Sequence, residues 1–442
     1  MNKRISGRLY LRSISSLAVG LSWASVLFAA DKSDWSVFVG AYRTDNVELS
    51  PTNKRSDTQP RAGFTLDFRD DRERLDTDLA ANISYEGYTS RYYTGLRAPD
   101  TITGAANLSL TASIIPRRFL WTTVESFGQT AVDLAAANSP GNRQNTNVFS
   151  TGPRVTFPLG ARNELQFVGN YFTSSFRTST SDSSGYSASA ALRRQISRGG
   201  SLSLHLAESR IQRPSQNGIG DSKVHSAYFG WDRIGERGSL LMELGYTSLD
   251  AQSITEHSPL VRVTFTRRLS ARSTISLTGA REFSSAAETF QSNLTFFGVA
   301  GTLANGRASG EPFRSDYGLV SWTTTGNILD LAVRARLRRE TYQTNTTLNA
   351  RLFGAGVAVN RAISPRLRVG LRADYDRRQF TAQQNDTREQ RIGADLALAL
   401  GPKVSLSFGF DHFSGNVLGG PKYVENRESL RITYRPRTKS AR

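Results

Sequence analysis

The feature that most restricts this chain is a strict two-residue alternation of apolar and charged side chains. In Leu331 to Arg338, Leu331, Val333, Ala335 and Leu337 alternate with Arg334, Arg336 and Arg338. Successive side chains of a strand point to opposite faces, so this segment has one apolar and one charged face. On a helix the same arginines would spread around the cylinder. The pattern recurs. Leu367, Val369, Leu371, Ala373 and Tyr375 alternate with Arg368, Gly370, Arg372, Asp374 and Asp376. Val261, Val263 and Phe265 alternate with Arg262, Thr264 and Thr266, and Leu396, Leu398 and Leu400 with Asp395, Ala397 and Ala399.

Turn residues punctuate these runs. Short polar connections fall near Arg69-Asp71, Pro116-Arg118, Gly160-Arg162, Arg198-Gly200, Gly235-Gly238, Ser270-Arg272, Thr324-Gly326, Ile363-Pro365 and Gly401-Lys403. Longer polar connections lie between them: Ala136-Thr146, Arg213-Asp221, Ser284-Gly310 and Phe413-Lys422. Tight turns at one end and long loops at the other are the layout of outer-membrane barrels. Nine hairpins, a first strand at Trp35 to Tyr42 and a last at Tyr423 to Tyr434 predict an all-β, single antiparallel up-and-down transmembrane β-barrel of about 20 strands (range 16-22). Ser284 to Gly310 carries Phe290, Leu294, Phe296 and Phe297. It reads either as extra strands or as a loop folded into the lumen.

A sandwich or propeller is the competing architecture. The strands are too long for it, roughly ten to fourteen residues against about five to six in globular proteins. One face of many strands is charged, so two sheets would share no apolar core. The mean hydropathy of −0.39 resembles that of a water-soluble protein. In a barrel, lipid-facing and lumen-facing residues cancel in such an average.

The N-terminus reads as a cleaved secretory signal over residues 1-30. Lys3, Arg4, Arg8 and Arg12 precede an apolar run from Leu17 to Ala30 that closes on Ala29-Ala30. An uncleaved anchor is the other reading, but the run is shorter than the ~20 residues that span a bilayer as a helix. The expected organisation is signal 1-30, barrel 31-434 and basic tail 435-442. It places the chain in the outer membrane of a Gram-negative bacterium, with both barrel ends facing the periplasm.

Cysteine is absent, which removes disulfides, thiolate metal sites and cysteine nucleophiles. Of 56 basic residues 49 are arginine, and the formal net charge is +18. Nucleic acid is the weakest candidate partner for an exported chain. Outer-membrane lipid and lipopolysaccharide, the barrel-assembly machinery, and small anions or an anionic polysaccharide are the expected ones. The last strand alternates Leu430, Ile432 and Tyr434 with Arg431 and Thr433 and closes on an aromatic, as assembly-signal strands do, although a basic tail follows it. Trp35, Tyr246, Trp322, Tyr375 and Tyr434 suit an interfacial girdle.

The stretch Tyr42-Arg43-Thr44-Asp45-Asn46-Val47-Glu48-Leu49-Ser50-Pro51, followed by Lys54-Arg55-Ser56-Asp57, resembles the opening of the β-barrel porin 2 type of outer-membrane protein. That group is associated with exopolysaccharide operons and the PEP-CTERM/exosortase system. Its "DN" element and "SD" pair precede a Pro-Gly-like turn, here stretched to Pro60-Arg61-Ala62-Gly63. The motif covers residues 42 to 64, and the strand rhythm extends the likeness loosely. It implies a barrel linked to surface polysaccharide and supplies no catalytic residue.

The basic stripes are the best functional candidates. Arginine facing lipid near the midplane costs about 2–4 kcal/mol, so Arg262, Arg334, Arg336, Arg338, Arg366, Arg368 and Arg372 are expected to line the lumen. Arginine rows select anions in pores. The alternative is a structural lattice with Asp330, Glu340, Asp374 and Asp376, and the two are compatible. No enzyme is expected. His205, His225, His257 and His412 lack zinc spacing, no serine lies in a G-x-S-x-G turn, and a catalytic role for His205 with His225 rests on proximity alone. Asp45 and Asn46 suit a turn cap better than a calcium site. No cofactor or metal is expected. The chain thus reads as a porin-like channel for anionic solutes or for exopolysaccharide export. A non-conducting structural or docking barrel is the second reading, and a lipid-modifying enzyme the third.

Overall fold

A computed structural model describes residues 33–89, 101–133, 136–177, 182–213, 220–251, 254–297, 311–343, 345–382 and 386–436, with side chains of 292–297 excepted. The expected signal at 1-30, most of the tail, and the tips of several long loops lie outside these residues.

The alternating runs form twenty antiparallel strands. They are β1 (Ser33–Thr44), β2 (Asp57–Arg72), β3 (Leu75–Glu86), β4 (Ile102–Ile115), β5 (Phe119–Ala131), β6 (Arg143–Pro158), β7 (Asn163–Phe176), β8 (Ser183–Ser197), β9 (Gly200–Gln212) and β10 (Ser222–Gly235). The second half comprises β11 (Gly238–Ala251), β12 (Ile254–Ser270), β13 (Ser273–Ser284), β14 (Phe313–Thr324), β15 (Leu329–Tyr342), β16 (Ala350–Ala362), β17 (Leu367–Phe380), β18 (Asp386–Ala399), β19 (Val404–Asn416) and β20 (Tyr423–Tyr434). Each strand pairs with its sequence neighbours, and β1 pairs with β20 from Val37↔Tyr434 to Thr44↔Arg427. The ring is therefore closed and leaves no edge strand with unpaired backbone groups, which is what a sheet needs to cross a bilayer. All nine expected hairpins are present. The first turn falls at 73–74, a few residues beyond Arg69-Asp71, because β2 runs on to Arg72.

The alternation sorts the wall as expected. Val333, Leu337, Phe353, Leu371, Leu396, Phe408, Leu430 and Ile432 lie on the outer face and are 37% to 61% exposed when lipid is absent. A continuous apolar belt of this kind is tolerated on a lipid-facing surface and not in water. Tyr246, Trp322 and Tyr434 stand on the same outer face, and Trp35 meets Tyr434 edge-on with ring centroids 6.3 Å apart. The short turns mark the periplasmic end and the long connections the extracellular end.

The "DN" element seals the seam between first and last strands. Asn46 is fully buried. Its amide donates to the carbonyls of Ser50 (2.8 Å) and Val424 (2.9 Å) and accepts from the Ser50 N–H (2.9 Å). Asp45 accepts from the Asn426 backbone N–H and side-chain amide, both at 2.7 Å. These residues tie the first extracellular loop to β20, a structural role of the turn-cap kind.

Candidate functional site

Two halves of the inner wall differ in chemistry. From β3 to β8 the lumen side is hydroxyl- and amide-rich. Ser84 meets Thr103 (2.9 Å), Ser126 donates to Asn107 (2.8 Å), Thr130 meets Thr146 (2.7 Å) and Ser174 meets Ser183 (2.7 Å). From β10 to β20 it carries fixed ion pairs.

The densest part of the ionic half is a three-strand device. Arg334-Ala335-Arg336 on β15, Gly354-Ala355-Gly356 on β16 and Asp374-Tyr375-Asp376 on β17 lie side by side in register. Arg336 reaches across Gly354 to Asp376 (2.6 Å), and Arg334 across Gly356 to Asp374 (3.2 Å). The glycines provide the space. A Cβ on Gly354 would stand 2.5 Å from Asp376 Oδ1 and 2.6 Å from Arg336 Nε. The arrangement repeats on β17–β19, where Arg372 crosses Gly393 to Asp411 with bonds of 2.9 and 2.8 Å. Arg391 shares Asp411 at 3.0 and 3.1 Å. Arg427 pairs with Glu425 (2.9 Å) and covers the rings of Tyr42 and Phe413 at 4.8 and 4.9 Å. Farther round the same half, on β12, Arg262 bonds Glu282 (2.6 Å) and Glu243 (3.0 Å).

Most of the expected arginines therefore face inward, held by carboxylates. Arg338 is buried over the Tyr317 ring (5.1 Å), with Glu340 two residues on along the same face. Arg368 points inward near the periplasmic mouth and has no carboxylate within 4 Å among the described residues. Arg366 departs from expectation. It belongs to the 363–366 turn, where its N–H meets Ser364 Oγ (3.3 Å), so it stands exposed at the mouth and not in the wall. The alternation extrapolated one rung past the point where the strand stops. Of the expected acidic partners, Asp374 and Asp376 serve. Asp330 accepts from the Gly326 N–H and closes a turn instead.

Two segments fold into the lumen from the extracellular side. Helix α1 (Ala286–Phe297) leaves β13 at once. Ala287 and the fully buried Phe290 pack on Ala105 and Val148 of the inner wall at β4 and β6. Phe290 also fills the space left by Gly128 on β5. Those strands are seven to nine of the twenty away around the ring, so α1 bridges opposing walls. Ser284 to Gly310 is thus an inward-folding loop as far as its described part reaches, with no extra strand. Its start is a capping box. Ser285 N–H donates to Glu288 Oε2 (2.8 Å), and Glu288 N–H donates to Ser285 Oγ (3.3 Å). The Ser285-Ala286-Ala287-Glu288 spacing is the signal that would have announced this helix. Burial pushes the Glu288 carboxyl up, with Glu282 adding to the rise and Arg262 opposing it.

The second segment joins β5 to β6 and crosses the other way. Asn142 holds it together, donating to the Asp133 (2.7 Å) and Ala137 (3.0 Å) carbonyls and accepting from the Asp133 N–H (2.8 Å). Ala136 and Asn138 line a cleft with Arg336, Asp376, Arg378 and Glu389 on the ionic wall. The two lumen linings therefore meet through this segment.

The histidines do not assemble. His205 faces inward, stacked on Tyr228 (4.5 Å) and bonded to Ser203 (2.8 Å). His225 lies on the outer face, 3.6 Å from both Glu208 and Asp250. A site needing both is excluded, because their register parities are opposite. Leu430, Ile432 and Tyr434 face lipid and pair with both β19 and β1.

No family model matches this chain, and no curated protein matches it. Among solved structures, it is similar to the ferric enterobactin receptor PfeA of Pseudomonas aeruginosa at 12% identity and a TM-score of 0.43, over 92% of this chain and 82% of that one. The siderophore receptor PirA of Acinetobacter baumannii gives 9% identity and 0.43, over 92% and 81%. PirA of Pseudomonas aeruginosa gives 12% and 0.40, over the same shares. At TM-scores this low, the assignment of a closed twenty-stranded membrane barrel rests on the strand pairing and the outer apolar belt of this chain itself.

Proposed function

We propose that this protein is an outer-membrane channel with a constricted lumen for a polar carbohydrate chain of the exopolysaccharide kind. The observation that carries the reading is the pairing of the lumen arginines. Unpaired arginine rows would create a positive field and select small anions. Here Arg262, Arg334, Arg336, Arg372, Arg391 and Arg427 are each tied to a carboxylate, so their fields cancel at short range while donors and acceptors remain fixed in place. Such a wall, facing a hydroxyl-rich one, suits a ligand recognised by many hydrogen bonds. The resemblance of residues 42 to 64 to exopolysaccharide-associated barrels supports the same substrate class.

The test is single-channel recording of the full-length protein in planar bilayers. The expected result is a small conductance with little preference between chloride and potassium, interrupted when an acidic or neutral polysaccharide is added. Deleting residues 286–297 is expected to raise the conductance. Strong anion selectivity in the unmodified protein would refute the paired-wall argument. A second reading is favoured by one observation, the bridge that α1 makes between opposing walls: a closed structural barrel. Absence of current even after the deletion would establish it.

A further inference from the structure

Near the extracellular rim the outer face breaks its apolar pattern with charged residues, and one such break lacks internal neutralisation. In a single cross-strand row from β13 to β17 stand Arg281, Asp316, Arg339, Arg351 and Gln379, each directly opposite the next. Asp316 already serves Arg281, at 3.4 Å. Arg339 and Arg351 are exposed, lie side by side, and have no carboxylate within 4 Å among the described residues. Like charges directly opposite on paired strands destabilise a sheet. The next like pair along the rim, Arg377 opposite Arg388, is neutralised within the chain by Asp386, at 2.9 and 2.7 Å. Arg339 and Arg351 lack such a partner among the described residues.

What lies beneath them completes the site. One step toward the bilayer centre on the same face, Leu337 stands opposite Phe353, 61% and 41% exposed. Tyr375 borders Phe353 with ring centroids 5.9 Å apart. The surface is therefore dibasic at headgroup height and apolar directly below. Guanidinium forks match phosphate oxygens in pairs, and a lipid-facing arginine near the interface costs far less than one at the bilayer midplane. The end of the barrel with long loops meets the outer leaflet, so the anion comes from a lipid of that leaflet.

We propose that Arg339 and Arg351 form a binding site for the phosphorylated headgroup of lipid A, with its acyl chains lying on Leu337, Phe353 and Tyr375. The site is independent of what passes through the lumen. It anchors the β14–β17 sector, which carries the Arg-Gly-Asp lattice on its other side.

The test uses the full-length protein, delipidated in mild detergent, and native mass spectrometry of added lipid. Bisphosphorylated lipid A is compared with its dephosphorylated form and with inorganic phosphate as competitor. The R339Q/R351Q double variant is expected to lose bisphosphorylated lipid A binding by about tenfold or more, since two charge-assisted contacts are removed. R339K/R351K should retain most of it, and K403Q at the opposite rim all of it. Heat-modifiable migration on gels verifies that each variant is folded. Unchanged binding in R339Q/R351Q overturns the proposal. So does equal binding of dephosphorylated lipid A, which would reduce the site to an apolar patch. Displacement by equimolar inorganic phosphate overturns it too, in favour of a generic anion site.

Discussion

Replacing Gly354 with alanine tests whether the glycines of β16 exist to let arginines cross the strand. The added methyl would stand 2.5 Å from Asp376 Oδ1, 2.6 Å from Arg336 Nε and 3.0 Å from Arg336 Cγ, so the 2.6 Å ion pair has to open. A hydrogen bond to a charged group is worth about 1.5–3 kcal/mol, and the 36% exposure of the Asp376 side chain argues for the lower end. Against this, a Gly-to-Ala change at a compatible backbone position stabilises by about 0.4–1 kcal/mol through the unfolded state. The net expectation for Gly354→Ala is a loss of about 1 kcal/mol. Gly318 on β14 supplies the control, because a Cβ there meets nothing within 4 Å. Gly318→Ala should therefore gain about 0.5 kcal/mol. The assay is reversible urea unfolding in lipid vesicles, followed by tryptophan fluorescence. The two variants should move in opposite directions, separated by about 1.5 kcal/mol. Shifts of the same sign and size would refute the crossing argument and leave the glycines as ordinary small lumen residues.

Asp411→Asn would strip the shared carboxylate from Arg372 and Arg391. It should cost about 2–3 kcal/mol in the same unfolding assay and raise chloride over potassium permeability in planar bilayers, because Arg391 loses its carboxylate and Arg372 keeps only Asp395, at 3.5 Å. Asn46→Ala removes two hydrogen bonds to Ser50 and the one that ties the loop to Val424 of β20, and should cost about 2 kcal/mol, read as a lower temperature for loss of the compact gel band. For Glu288 the sign follows from the raised carboxyl. Docking of α1 favours the protonated acid, so docking tightens as pH falls from neutral toward the ordinary glutamate range, with no further gain below it. Hydrogen exchange of the 286–291 amides should slow in parallel once corrected for intrinsic pH dependence, and Glu288→Gln should abolish that trend.

The fold was legible in the sequence because a barrel strand is a local, one-dimensional code. The parity of each residue decides lipid or lumen, and tight turns count the strands. Leu331 to Arg338 showed both faces of β15 without reference to any other strand, and the nine turns led directly to twenty strands. The same reasoning overreached at Arg366, where parity continues in the letters but the strand has already ended. It also passed over the capping box at Ser285, because a twelve-residue helix is inconspicuous among long polar loops.

What tertiary structure alone decided is how the arginines are used. Arg334 and Asp374 are forty residues apart in the chain, and nothing local couples them. Only the register of β15, β16 and β17 lays Arg-Ala-Arg, Gly-Ala-Gly and Asp-Tyr-Asp in adjacent rows. That register converts a basic stripe, which by itself reads as an anion path, into a neutral lattice. Likewise the pairing of Arg339 with Arg351 on the outer face depends on the β15–β16 register, and the contact of Phe290 with a wall seven to nine strands away depends on closure of the ring. The alternation determined which face each side chain occupies; closure and register determined which charges meet.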